Sequence, residues 1–391
     1  MLAKEEGMEV RSLKLYDVHY GKQWDEEVHY GWNYDDFLKD ERWRTGCISF
    51  DCLLWDKETD EIHVGVTSFN EKDISYKYDR KSQKFVYTGI GDVTDFWDAK
   101  FHRSLVKREK DGCYYAAIAL LHCVDHYLDA PGGAICRYDP KEGRWEKLCI
   151  PVPHTYIQNI VLDEENDFLY CMTFAPEYML RYHIPSGEIK NYGLIGSGIA
   201  GMAQGESCAL DDEGTLWGSW KITRAWSHDV GENASRLFKI RAGADKIEFL
   251  QHGLPKVDGS FGYEKPESFF NLGDGHIYAS AANGSLYRIN IHTNEVTYLF
   301  TPISDRRSRL AALAVAPDGY AYGVTGRDGD CQLLRFDFRN TKYELLGKVV
   351  DQDGEPCWQI HHVVVTDDGV LYAGENDIPH RSGYLWEIKL P

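Results

Sequence analysis

The chain has 391 residues and a formal net charge of −19, with 62 acidic against 43 basic side chains. No Lys/Arg run is dense enough to neutralise a phosphate backbone, which excludes nucleic acid and argues against anionic membrane surfaces. An anionic sugar stays admissible, because a local cluster of Arg and His can override the global field.

Ten cysteines are scattered without CxxC pairs, so a reducing compartment is a simpler reading than a disulfide scaffold. Residues 1–10 are polar and charged, and no span reaches membrane length. The expectation is a cytoplasmic protein as given, or a secreted or periplasmic one if a leader has been trimmed. Aromatic residues make up 13% of the chain, with 25 Tyr and 11 Trp, as suits half-buried pleated strands.

In chain order, the first element is the N-terminal segment 1–46, which contains "RSLKLYDVHYG". After it, a turn followed three residues later by an aromatic residue recurs seven times. The pairs are Asp60/His63 (a degenerate copy), Gly112/Tyr115, Asp167/Tyr170, Gly214/Trp217, Gly275/Tyr278, Gly319/Tyr322 and Gly369/Tyr372. The key residues are about 44 to 61 positions apart, a repeat length that with strands indicates a propeller.

A second signature, a hairpin, recurs in the same units: "YKYDRKSQKFVYTG", "ICRYDPKEGRWEKL", "LRYHIPSGEIKNYG", "LFKIRAGADKIEFL", "LYRINIHTNEVTYL" and "LLRFDFRNTKYELL". Seven units follow, near 47–90, 97–149, 155–193, 201–250, 264–300, 306–347 and 357–391. Each should hold four antiparallel strands, A innermost to D outermost; in the third unit these are 156–162, 168–173, 179–183 and 189–192. The last unit ends at its third strand, "YLWEIKLP". A closed ring removes exposed edges, so the N-terminal segment should supply the missing outer strand. The expected fold is all-β, a seven-bladed propeller forming one domain over 1–391. In it, the repeated aromatics are core residues and the A-to-B turns face away from the usual pocket.

Candidate chemistry lies on the opposite loops. His102 opens strand A of the second unit and His122 ends its strand B, so two imidazoles can converge there as base and acid. His154 begins the third unit, and Tyr178 lies in that unit's B-to-C loop. Arg224 lies in the fourth unit's B-to-C loop, with Trp220 and Trp226 beside it; an aromatic face with a guanidinium suits a sugar ring bearing a carboxylate. Cys357 and His361, four apart at the start of the last inner strand, are a candidate zinc pair that needs further ligands. His362 should point away from His361. Glu375, Asn376, Asp377, His380 and Arg381 fill the following loop, where capping the turn is as apt a role as touching a ligand. No P-loop, GxSxG elbow or HExxH is present, nor any dinucleotide fingerprint leading into a helix, so no organic cofactor is expected.

"HRSLVKREKDGCYYAAIALLH", "PGGAICRYDP" and "HHVVVTDDGVLYAGENDIPHRSGYLWEI" resemble the seven-bladed propeller polysaccharide lyases of the ulvan-lyase type and related propellers active on rhamnose–glucuronate linkages. The resemblance implies β-elimination on an acidic oligosaccharide or polysaccharide, with a His pair at His102 and His122 and a carboxylate-binding Arg at Arg224. It also implies a Tyr for which Tyr178 substitutes, since Ser207 or Cys208 stands where the family Tyr is expected, and a structural zinc on Cys357 and His361. The alternatives are a rhamnosidase-like glycoside hydrolase on the same scaffold, or a non-catalytic propeller that binds a ligand or protein.

Overall fold

The computed structural model describes residues 8–20, 39–46, 49–120, 128–174, 176–196, 206–221, 235–257 and 265–391. Its strands form seven four-stranded antiparallel sheets arranged as a seven-bladed propeller. Six blades are continuous in sequence. The third is typical, with strands Tyr156–Asp163, Phe168–Phe174, Glu177–His183 and Ile189–Gly196 running from the axis outward. The seventh is composite: Ile360–Val365, Val370–Glu375 and Leu385–Lys389 are completed by the N-terminal strand Val10–Leu13. Val10 pairs with Ile388 and Leu13 with Leu385, as the shortened last unit predicted. Arg11 adds a 2.8 Å bond to Glu387, and Ser12 reaches Asp351 at 2.6 Å. Among the described residues, no helix is long and apolar enough to cross a membrane.

The repeated turns show why the sequence period is so regular. Gly112, Gly214, Gly275, Gly319 and Gly369 all have φ between 70° and 85°, a region costly for any residue with a Cβ. In the two irregular copies Asp60 and Asp167 adopt φ of 58° and 60°, which Asp tolerates better than most residues. The aromatic at +3 is buried in every blade. Several aromatics close back on the aspartate that opens their own turn: Tyr115 on Asp111 at 2.9 Å, Tyr278 on Asp274 at 2.7 Å, Tyr322 on Asp318 at 2.7 Å and Trp217 on Asp211 at 2.7 Å. These four aromatics therefore pack between blades and tie down the turns that introduced them, whereas Tyr372 donates to Glu387 at 2.7 Å. The outer hairpins use a related device: Asp79, Asp139 and Asn290 each accept from the backbone N–H two residues on.

His63, the degenerate copy, fills its slot without such a bond. It is 5% exposed and stacks on Tyr114 at 4.2 Å, and its Nε2 has no hydrogen-bond partner among the described residues. Burial pulls its pKa down to about 4, so the folded protein holds it neutral. Since the folded pKa is below the unfolded one, a stability penalty sets in below about pH 6.5 and is complete near pH 4, where it reaches about 3 kcal/mol. His63→Phe should remove that penalty: the stability difference between variant and wild type, read from urea unfolding, should grow as pH falls from 7 to 4. Deleting residues 1–13 should lower the melting temperature and broaden the transition, because it exposes the edge of Leu385–Lys389.

Candidate functional site

The inner strands do not run straight along the axis. Asp51, Gln158, Glu267 and His361 are each an extra residue in the pairing of strand A with strand B, skipped between Phe50/Cys52, Ile157/Asn159, Pro266/Ser268 and Ile360/His362. In blade two the irregularity is larger. Phe101 pairs with Ile118 and Leu105 with Ala116, so His102, Arg103 and Ser104 oppose Ala117 alone. Arg103 sits there at φ 46°, a left-handed conformation that a long side chain adopts only when its surroundings hold it. Glu206 and Arg309 take the same place in blades four and six, just before the short inner strands. Each blade thus delivers a polar residue to the axis.

The residue after the bulge points sideways and joins blades. His362 Nδ1 accepts from Leu53 N–H at 2.9 Å, turning away from His361 as the strand alternation predicted. Asn159 donates to Arg103 O at 2.8 Å and accepts from Cys208 N–H at 3.0 Å, and Ser207 accepts from Phe269 N–H at 3.1 Å.

At the centre lies a buried ion network. Arg309 Nη2 contacts Glu267 at 2.5 Å and Glu206 at 3.0 Å, and Arg103 Nη2 reaches the same Glu206 oxygen at 3.1 Å. Arg103 also donates to Ser268 Oγ and to His361 O. Burial works against the Glu206 carboxylate, but Arg309, Arg103 and His361 outweigh it and hold its pKa well below the ordinary value. Removing one cation leaves buried carboxylates uncompensated, at a typical cost of about 3–5 kcal/mol. Arg103→Ala should lose about that much in denaturant unfolding, more than a relaxed bulge can return.

Above this network two imidazoles meet. His102 Nδ1 donates to Gln158 O at 3.1 Å and His361 Nδ1 donates to Asp51 O at 2.7 Å. A carbonyl only accepts, so both Nδ1 atoms carry their protons, and in the neutral rings both Nε2 atoms present lone pairs. These atoms lie 3.1 Å apart, with Glu206 Oε2 3.3 Å from His361 Nε2. Two facing lone pairs repel unless a cation, a proton or a metal ion, lies between them. Burial first, then Lys100 and His361, push the His102 pKa well below its ordinary value, so His102 is the ring that stays neutral. The ligand atoms of His102, Glu206 and His361 all lie within 4.8 Å of one another and can hold a metal ion.

The sequence had paired His102 with His122. His122 and Arg224 lie outside the described residues, and the partner that the structure shows for His102 is His361. Cys357 and His361, the expected zinc pair, have other partners among the described residues. Cys357 precedes the inner strand, in a segment held by its N–H on Val349 O, and its thiol contacts Cys331 in the core. Strand alternation therefore does not carry it to the side of His361.

Tyr178 lies in strand Glu177–His183, packed against the blade-three core, with its N–H on Thr173 Oγ1. Trp220 spends its indole N–H on Leu237 O and Leu250 O and packs on Phe249, which makes it a brace across the outer strands of blade four. His154 is exposed at φ 59° and bonds Ala130 O at 2.8 Å. Glu375 and Arg381 are structural: the buried carboxylate accepts from Trp358 N–H, Tyr384 N–H and Arg381. Sequence reasoning missed Arg103, Glu206, Glu267 and Arg309. Their signal is positional, since every axial residue lies 11 to 13 places before its blade's repeated aromatic.

Below the network, a cavity of about 790 Å³ follows the axis toward the A-to-B turns. Its walls are apolar, with Leu105, Ile160, Phe269 and Leu313; Arg103, Ser207 and His362 line its inner end, and Lys57 and Lys107 are near its mouth.

No protein-family profile matches the sequence, and a search of curated proteins finds no match. Solved structures do match. Virginiamycin B lyase from Staphylococcus aureus is 13% identical with a TM-score of 0.60, over 88% of this chain and 96% of that one. A streptogramin B lyase is 12% identical with a TM-score of 0.62, over 98% of both chains. The extracellular domain of a hybrid two-component system from B. thetaiotaomicron is 13% identical with a TM-score of 0.57, over 88% of this chain and 38% of that one. At these identities the chain shares with them the seven-bladed fold.

Proposed function

We propose that this protein is a carbon–oxygen lyase that opens a uronate-containing oligosaccharide by β-elimination, with the His102–His361 pair handling the protons. The observation that carries the reading is the convergence of two Nε2 atoms at 3.1 Å, each ring fixed by a backbone carbonyl. This chemistry requires one proton shared by the pair, on the His361 side beside Glu206, with His102 offering its lone pair. His102 Nε2 takes the proton at C5 of the uronate, the C4–O bond breaks, and His361 Nε2 gives its proton to the leaving oxygen. A proton shift across the pair then restores the starting state. Each transfer contributes about 10²- to 10⁴-fold.

Arg103 and Arg309 are committed to Glu206 and Glu267, so the substrate carboxylate needs another partner, and Arg224 is the residue that the sequence resemblance assigns. Two structural neighbours, virginiamycin B lyase and a streptogramin B lyase, are lyases, and a catalytically inactive histidine-to-alanine variant of the first has been solved with quinupristin. The uronate substrate rests on the sequence resemblance. A glycoside hydrolase would need a His or carboxylate acid with a water-activating base, and Arg309 and Arg103 keep Glu206 ionised, so Glu206 does not fit as that acid. The apolar-walled axial cavity favours a ligand-binding propeller as the second reading.

Incubation with ulvan, rhamnose-capped arabinogalactan and pectin fragments should produce the ultraviolet absorbance of a 4,5-unsaturated uronate. His102→Ala should reduce that rate by at least about 100-fold while substrate still binds. Absence of the chromophore on all three substrates, or an unchanged rate in His102→Ala, rules the reading out.

A further inference from the structure

We propose that His102, His361 and Glu206 also form a binding site for one divalent metal ion, with zinc the best match to the donor set. This goes beyond the lyase reading and does not depend on it. Three observations support it. The first is the direction of the lone pairs. Zinc-binding histidines hold their second ring N–H on a carbonyl or carboxylate, and both rings here do so, through Gln158 O and Asp51 O.

The second is distance. Two of the three edges between the ligand atoms are 3.1 and 3.3 Å and the third is within 4.8 Å; a tetrahedron with edges of the first two lengths has its centre about 2 Å from each corner, the zinc–nitrogen and zinc–oxygen bond length. Three protein donors leave the fourth position for water or a ligand.

The third is charge. Arg103 and Arg309 are the guanidinia at the axis; Glu206, Glu267, Asp51 and Asp377 are the carboxylates acting on them. Lys100 and Lys265 also act on this cluster, so the charge that bears on a metal ion is that of Glu206, ionised and facing the imidazole pair. The same ring also holds Gln158 Oε1, a buried polar atom with no hydrogen-bond partner among the described residues, on the residue whose carbonyl orients His102.

Metal and proton then compete for the same lone pairs. With zinc bound, His102 has no free lone pair, so zinc should inhibit any elimination that uses it. The site differs from the Cys357–His361 pair, whose thiol lies in the core against Cys331.

The test is equilibrium dialysis of chelator-stripped protein against zinc chloride, with metal content read by mass spectrometry. Wild type should bind one zinc per chain. His361→Ala and Glu206→Gln should each weaken binding on the order of 100-fold, as loss of a ligand costs at least as much as loss of its orienting partner. His154→Ala, which alters an exposed histidine, should bind as wild type does. Cobalt in place of zinc should give wild-type protein the visible absorption of a tetrahedral site, and Glu206→Gln, which preserves side-chain shape, should lose it. Thermal unfolding of each variant separates a lost site from a lost fold. Failure of wild type to bind zinc, or retention of full affinity by a folded His361→Ala or Glu206→Gln, overturns the proposal. Neither readout uses turnover, so a zinc-binding protein without lyase activity would leave this inference standing and remove only the other.

Discussion

Bringing like-placed polar residues from seven blades to one axis is tolerable only if their charges cancel. In this molecule the cancellation is local and specific: Glu206 lies between Arg103 and Arg309, and Glu267 lies against Arg309. Buried ions gain little over a packed apolar core, but they tolerate the removal of a partner poorly. The network therefore acts less as a source of stability than as a constraint on position. Arg103 must reach Glu206, and it does so from a left-handed bulge that a straight strand would not provide. His102 is carried in the same bulge, so the geometry of the imidazole pair depends on the ion pairs beside it.

The surrounding architecture separates two tasks along each inner strand. Bulged residues face the axis and supply chemistry, while the next residue turns sideways and joins blades, as Asn159, Ser207 and His362 do. Across the A-to-B turn, on strand B, the repeated aromatics fill the space between blades, and Tyr115, Tyr278 and Tyr322 close on their own turns. Polar chemistry at the axis and apolar packing between blades thus share one hairpin without competing.

Much of the fold was legible because it is written in local chemistry. Glycine or aspartate at a positive-φ turn, an aromatic at +3 and an Asx-type hairpin turn recur at intervals set by the size of a blade. Even the N-terminal closing strand followed from a last unit that stops one strand short. The site was only partly legible. His102 and His361 stood out as residue types, but their pairing did not, because they are 259 positions apart and meet across the axis. Cys357 misled for the opposite reason: four-residue spacing suggests a shared face, yet the residue precedes the strand to which that rule applies. Glu206 and Arg309 carry no local motif that marks them in the sequence. Only superposing the units on their aromatics brings them into one ring.

The composite seventh blade has a consequence for how the chain reaches this state. Arg11 and Glu387 are 376 positions apart, so the pairing that shuts the ring is among the most distant contacts in the molecule. During synthesis the first strand emerges early and has no partner until nearly the whole chain has left the ribosome. Blades one to six can form from neighbouring residues, and closure comes last, at the entropic cost of one very long loop. Until then the outer edge of Leu385–Lys389 is open to pairing with another chain. The closing strand is thus the point at which folding and aggregation of this protein compete.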